Sequence, residues 1–340
     1  MIKRKPAAFT LVEMLVVISI IGILMAIITP ATQQALEMSR NTACRNKIRQ
    51  LAIAGTRYGL DKGEYPGYVS DIGIGTTKNE VSWVVPIFPY MGVSDGLWEA
   101  WKAGSNDDSA EEKARRTIYI DMLVCPSDRP EGFRVDDLSY VINAGKVDFN
   151  KDSGNKANGI AHNRVTGSFE LEVSPEYVSG ADGATYTLML AENIQAGKWS
   201  LGNLIGDNAW QNEKYVAFVW HNEQRNPAAE CDPAHDDYSD GIAGGCRAFD
   251  ARQINGEKHV TNYPQTKKSH LDDLIAEPTD WARPSSHHGQ GANVAFCDTR
   301  VIFLSERIEY DVYTQLMTSD HKFSEALNKT SILDDRDFMN

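Results

Sequence analysis

The chain of 340 residues carries 34 basic and 47 acidic side chains, a formal net charge of −13, 42% hydrophobic residues and five cysteines. That length allows an N-terminal anchor plus one large or two small globular parts, since domains cluster near about 100–150 residues. The acidic balance excludes nucleic-acid binding through a basic face and leaves room for divalent cations, although its simplest consequence is a solvated surface.

The first eight residues form a basic leader with Lys3, Arg4 and Lys5. Phe9 to Thr29 is an apolar run interrupted only by Glu13 among charged residues. About twenty apolar residues cross the hydrocarbon core as a helix rising about 1.5 Å per residue, and the preceding basic cluster marks the cytoplasmic side. An ionised Glu at that depth costs several kcal/mol unless paired, so Glu13 calls for a partner charge. Pro30 closes the run and predicts a kink or a local gap in helical hydrogen bonding. From residue 31 the helical pattern is amphipathic, with Cys44, Ile48, Leu51, Gly55 and Tyr58 on one face, where a globular head should pack. Read as one element, Phe9 to Leu60 spans about 75–80 Å, and Asp61-Lys62-Gly63 reads as its stop.

Ala8-Phe9-Thr10-Leu11-Val12-Glu13 resembles the processing site of type IV prepilins and pseudopilins, in which a membrane peptidase cuts before the Phe and methylates the new amine. The family usually has Gly where this chain has Ala8. The resemblance implies that Glu13 offsets the α-amino group of Phe9 on a neighbouring subunit. It also implies cleavage by a prepilin peptidase, insertion in the inner membrane with the head in the periplasm, and partnership with other pilin-like subunits and the inner-membrane assembly machinery. A secretory signal would need a small-x-small site after the apolar stretch, which Ala26 to Thr32 does not offer. A plain membrane anchor would have no need of Glu13.

In the head, Ser82 to Trp101 is an aromatic cluster predicted to form short helices around Pro86, Pro89 and Gly92, and to be core before it is a ligand cage. Asn106 to Arg116 reads as an exposed, charged helix. Ile118 to Val124 reads as strand-like, opening into the turn Cys125-Pro126-Ser127-Asp128. Asp148, Asn150 and Asp152 alternate as in the first half of a Ca²⁺ loop, against a plain turn as the alternative, since Gly159 stands where a bidentate Glu would be. Asp232, Asp236, Asp237 and Asp240 form a second acidic segment with the same two readings. Cys231 and Cys246 bracket a polar, Gly-rich segment, and a disulfide there would contribute on the order of 3 kcal/mol. Cys44 with Cys125 is a second candidate pair, and Cys297 reads as a buried thiol. No cysteine pair has the short spacing or the His companions of a structural zinc site.

Thr185 to Leu190 and Tyr215 to Trp220 read as strands, and Ala292 to Cys297 with Arg300 to Leu304 as a hairpin around Asp298-Thr299. The tail from residue 331 reads as an exposed end. No catalytic or phosphate-loop motif is visible, so the chain is not read as an enzyme.

The stretches CRNKIRQLAIAG, GEYPG, SWVVPIFPYMG, LVCPSD, SYVINAG, TLMLAEN and HHGQGANVAFCDTRVIFLSE, in that order, resemble a large family of prepilin-type proteins, abundant in planctomycete-like bacteria. The family is named for a C-terminal His followed after nine residues by Asp-Gly. His288 and Asp298 match its motif, and Thr299 replaces its Gly. A β-branched residue resists positive φ, so the tight turn is expected to relax into another type. The motif is read first as a structural hydrogen bond tying the loop to the hairpin, with a metal or paired role as the alternative.

The expected fold is thus α+β, a long N-terminal helix packed on an antiparallel β-sheet head with short helices and long loops. Its parts are a leader over 1–8, a transmembrane or filament-core half over 9–30, an amphipathic half over 31–62, a head over 63–330 and a tail over 331–340. The function it implies is a subunit of a type IV pilus or a type II secretion pseudopilus. The other reading is a membrane-tethered binding module that uses a pilin-like anchor for display.

Overall fold

The computed structural model describes residues 10–74, 77–93, 95–103, 118–128, 135–146, 154–165, 171–194, 196–200, 216–220, 254, 283–326 and 333–338. Helix α1 (Leu11–Lys62) runs without a break through Pro30 and is about 78 Å long at 1.5 Å per residue. Thr10 starts it through a capping box with Glu13, and Gly63, in the left-handed conformation at φ 78°, ends it, as the Asp-Lys-Gly triplet predicts. The Thr29 hydroxyl donates to the Met25 carbonyl at 2.7 Å, just ahead of the proline.

Among the described residues, the α+β head is built on two sheets. Strands β1 (Val69–Ile74) and β2 (Thr77–Ser82) pair antiparallel, and β4 (Asn163–Arg164) joins β1 in parallel. The larger sheet has the order β6-β3-β5-β7-β8, from β3 (Tyr140–Lys146), β5 (Leu188–Glu192), β6 (Ala217–Trp220), β7 (Gly291–Phe296) and β8 (Val301–Ser305). Three of its pairings are antiparallel, but β3 and β6 run parallel, so the sheet is mixed where an antiparallel one was expected. A parallel neighbour needs a long crossover, and strand composition alone does not encode strand direction.

Alternation along the strands feeds two cores. Ala292, Val294 and Phe296 of β7 point to one face, where α5 (Tyr310–Met317) supplies Tyr313, Leu316 and Met317. Ala295, just before Phe296, points to the other face with Met189 of β5, against Ile48, Leu51 and Ala52 of α1. The helix face foreseen from spacing is the buried one, with Cys44, Ile48, Leu51 and Gly55 all covered. Trp83, Phe88 and Trp101 pack in this core with α2 (Phe88–Met91), α3 (Asp95–Ala103) and Trp199, and Phe88 meets Trp199 edge-on at 5.4 Å. Helix α4 (Pro175–Gly180) closes the far end of α1.

Three local expectations change. Ile118 to Val124 is not a strand but contains a 3-10 turn (Asp121–Leu123), because the carbonyls of Asp121 and Val124 both accept from the Lys47 ammonium of α1, at 2.7 and 2.9 Å. The Asp298-Thr299 turn does not relax. Thr299 adopts φ 70°, held by the Arg300 amide donating to the Asp298 carboxylate and by backbone bonds from the Phe296 amide to the Arg300 carbonyl and from the Thr299 amide to the Phe296 carbonyl. The tail is exposed at Asp334, Arg336 and Asp337 as expected, but Phe338 is buried against Phe296 and Tyr186.

Two substitutions probe these backbone strains in opposite directions. Gly145 sits at φ 82° in the β3 bulge, and a Cβ there would lie 2.4 Å from the Asn158 carbonyl oxygen. Gly145→Ala is expected to destabilise the head by about 2 kcal/mol or more, whereas Thr299→Gly should stabilise it by up to about 1 kcal/mol. Chemical-denaturation midpoints of the two variants check both signs.

Candidate functional site

Two features of α1 carry function. The first is its projecting half. Residues 10–36 are exposed along their whole length in the single chain, including Leu15 at 53% and Ile18 at 64%. This is the one helix among the described residues long and apolar enough to cross a membrane. Ser19 and Thr29 return their hydroxyls to carbonyls one turn back, so the polar groups on this surface are internally satisfied. Glu13 is satisfied too, accepting from the Thr10 amide at 2.8 Å and the Thr10 hydroxyl at 2.7 Å.

The second feature is the junction where α1 enters the head. Contact begins at Glu37, later than the boundary at residue 31 suggested by the end of the apolar run. Glu37, Asn41, Cys44 and Ile48 follow one another at steps of about one turn, placing them on one face of the helix. Cys44 forms a disulfide with Cys125 across 81 residues of sequence, which in the chain-entropy model contributes about 4.5 kcal/mol. The Glu37 carboxylate accepts from Ser127 Oγ at 2.8 Å and meets His288 Nδ1 at 2.8 Å. His288, 4% exposed, turns its Nε2 inward, 3.5 Å from Cys125 Sγ and 3.5 Å from Glu192 Oε1. Glu192 is held in turn by the Asn293 amide at 2.9 Å and side chain at 3.0 Å, and the same Asn293 side chain reaches Asn41 at 3.0 Å. Beside them His287 lies 3.5 Å from Asp128, whose carboxyl burial pushes up in pKa.

Burial disfavours the imidazolium of His288, but hydrogen bonds and charge from Glu192 and Glu37 outweigh it and raise its pKa above the usual 6.5. Partial burial likewise opposes ionisation of Glu37, yet the hydrogen bonds of Ser127 and His288 hold it below 4.5. The junction is thus an ionic clasp around a covalent one.

A cleft of about 370 Å³ opens at the C-terminal end of α1. Tyr58, Tyr90 and Trp98 line it together with the ion pair of Arg164 and Glu64. The aromatic segment therefore divides, with Trp83, Phe88 and Trp101 in the core and Tyr90 and Trp98 partly exposed on the cleft.

Residues 33–311 match the model of a family described as a protein of unknown function (DUF1559), and residues 3–29 match the prokaryotic N-terminal methylation motif. The chain belongs to the DUF1559 family. Two curated relatives match part of the chain. It is 38% identical over 79 residues to the fimbrial protein EcpC of Eikenella corrodens, covering 23% of this chain and 52% of that one. It is 35% identical over 64 residues to the type II secretion system core protein G of Pseudomonas aeruginosa, covering 19% and 45%. The chain spans about half the length of the curated relatives it matches. No solved structure matches it.

Four of the stretches quoted from the sequence meet at the junction. CRNK supplies Cys44 and Lys47, CPSD supplies Cys125, Ser127 and Asp128, AEN supplies Glu192, and HH supplies the two histidines. Of the cysteine pairings, Cys44 with Cys125 is formed and Cys297 is a buried free thiol. His288 and Asp298 serve different neighbours, His288 binding Glu37 of α1 while Asp298 shapes the hairpin turn. Glu37 and Asn41 lie outside the stretches quoted from the sequence, and Glu192 and Asn293 lie inside them without being singled out. The signals that could have found them are the helix face extended toward its N-terminus and a carboxylate closing the apolar strand Leu188–Ala191. Ala8, Phe9, the candidate Ca²⁺ ligands Asp148, Asn150 and Asp152, the second acidic segment and the pair Cys231 and Cys246 lie outside the described residues.

The clasp predicts a pH profile for the disulfide-bonded protein. Because His288 binds its proton more tightly when folded, its contribution is full below pH 6.5 and is lost as pH rises through its raised value. The contribution of Glu37 is present above pH 4.5 and is lost as pH falls through its depressed value. Thermal midpoints should therefore fall on the alkaline side in wild type, and His288→Gln should flatten that limb.

Proposed function

We propose that the chain is a pilin-like subunit, processed between Ala8 and Phe9 and assembled through α1 into a type IV pilus or type II secretion pseudopilus. The observation that carries this is the pairing of an N-terminal methylation motif with a fully exposed apolar half-helix on a folded head. Such a surface needs a hydrophobic neighbour, which is lipid before assembly and other α1 helices after it. In this reading the prepilin peptidase and other pilin-like subunits are the partners, and the head lies on the extracytoplasmic side, where the Cys44–Cys125 disulfide persists. The relatives support the role by their names, one a fimbrial protein and one a secretion-system core protein.

Glu13 has a defined part in that assembly. In the single chain its carboxylate caps Thr10, one residue after Phe9. Cleavage would create a cationic amine at Phe9 that competes for the same oxygens, allowing charge pairing between subunits. A display module that uses α1 only as an anchor is the second reading, and the aromatic cleft beside Arg164 and Glu64 is the observation that favours it.

Intact mass and N-terminal sequencing of protein from native membranes should give a chain starting at methylated Phe9. A retained leader would refute processing. Glu13→Ala should abolish or strongly reduce filament incorporation while the head keeps its melting temperature. Cysteine crosslinking along α1 separates the readings, with ladders expected for a filament and only monomers for display.

A further inference from the structure

Among the described residues, Cys44 Sγ, Cys125 Sγ, Glu192 and His288 place four ligand atoms within 4.8 Å of one another, all on buried residues. Tetrahedral Zn²⁺ with two sulfur, one nitrogen and one oxygen ligand needs neighbouring ligand atoms about 3.3–3.8 Å apart. The His288 Nε2 contacts with Cys125 Sγ and Glu192 Oε1 already meet this at 3.5 Å each. We propose that in the dithiol form of the protein these four residues bind Zn²⁺, so that the same two sulfurs serve either as a disulfide or as metal ligands.

The surroundings fit a metal centre beyond the four ligands. His288 presents Nε2 to the site while its Nδ1 is bound by Glu37, the carboxylate–histidine arrangement that fixes the tautomer and orientation of metal-ligating imidazoles. Glu192 turns Oε1, which also accepts from the Asn293 side chain, toward His288, while the Asn293 backbone amide holds Oε2. Lys47 places its ammonium on the Val124 carbonyl, next to Cys125, where it offsets part of the negative charge of two thiolates and a carboxylate. Two sulfurs with one imidazole and one carboxylate suit Zn²⁺ better than Ca²⁺ or Mg²⁺, which prefer oxygen.

The chemistry balances without a reductant, because translation delivers both cysteines as thiols. Binding converts two thiols and Zn²⁺ into two zinc–thiolate bonds and two released protons, and a third proton leaves His288 Nε2 for solvent wherever the imidazole is protonated beforehand. Oxidation of the same pair removes two electrons and two protons to an oxidant and forms the disulfide, which withdraws both sulfurs from the metal. Either product ties α1 to the head at the same point.

The test uses the full chain, purified in detergent with and without a phosphine reductant, and Co²⁺ and Zn²⁺ alone as probes. The reduced chain should bind one Co²⁺ with a thiolate charge-transfer band that Zn²⁺ abolishes, and X-ray absorption of the Zn²⁺ form should give two sulfur and two lighter ligands. Zn²⁺ should raise the melting temperature of the reduced chain and leave the oxidised one unchanged. Glu37→Gln, which touches no metal, should weaken binding by about 10–100-fold and keep the band. No charge-transfer band, a first shell without sulfur, a reduced chain that Zn²⁺ does not hold folded, or His288→Ala binding as tightly as wild type would each overturn the proposal.

Discussion

The structure depends on one helix being asked to live in two solvents. An α-helix closes its own backbone hydrogen bonds, so its N-terminal half can stand in an apolar environment without the head. The C-terminal half instead has a single buried stripe and must meet the sheet in one register. Nothing in the backbone marks where one regime ends, since Pro30 leaves α1 unbroken. Side chains mark it, and the first of them is Glu37.

Much of this was legible before any coordinates, for physical reasons that differ by region. The apolar run, the stripe from Cys44 to Gly55, the Gly63 stop and the hairpin at Asp298-Thr299 are local patterns with a fixed period or a fixed turn chemistry. The junction was not legible in the same way. Its hydrogen-bonding groups come from four separate segments, of which only β5 and β7 are neighbours in the sheet, and a lone Glu37 or Glu192 has no local signature. Strand direction failed likewise, because parallel β6 depends on the path of the chain between strands and not on Ala217 to Trp220 themselves. Thr299 is the opposite case, a local preference overridden by the bonds of Asp298, Phe296 and Arg300 around it.

The junction also joins stretches that are spread over much of the chain. CRNK, CPSD, AEN and HH are far apart in sequence and meet against one face of α1, so they describe one structural unit. Its covalent and ionic parts are redundant in position but not in conditions. The disulfide answers to redox state, and the His288–Glu37 pair answers to pH.

The projecting half turns that junction into the fulcrum of a lever. From Leu11 to residue 36 the helix extends about 39 Å beyond its first support, so a tilt of about 5° at Glu37 moves the tip by about 3.4 Å. That is more than half of the roughly 5.4 Å pitch by which neighbouring helices interlock. Angular rigidity where α1 enters the head therefore sets how accurately one end of the molecule can be aimed by the other.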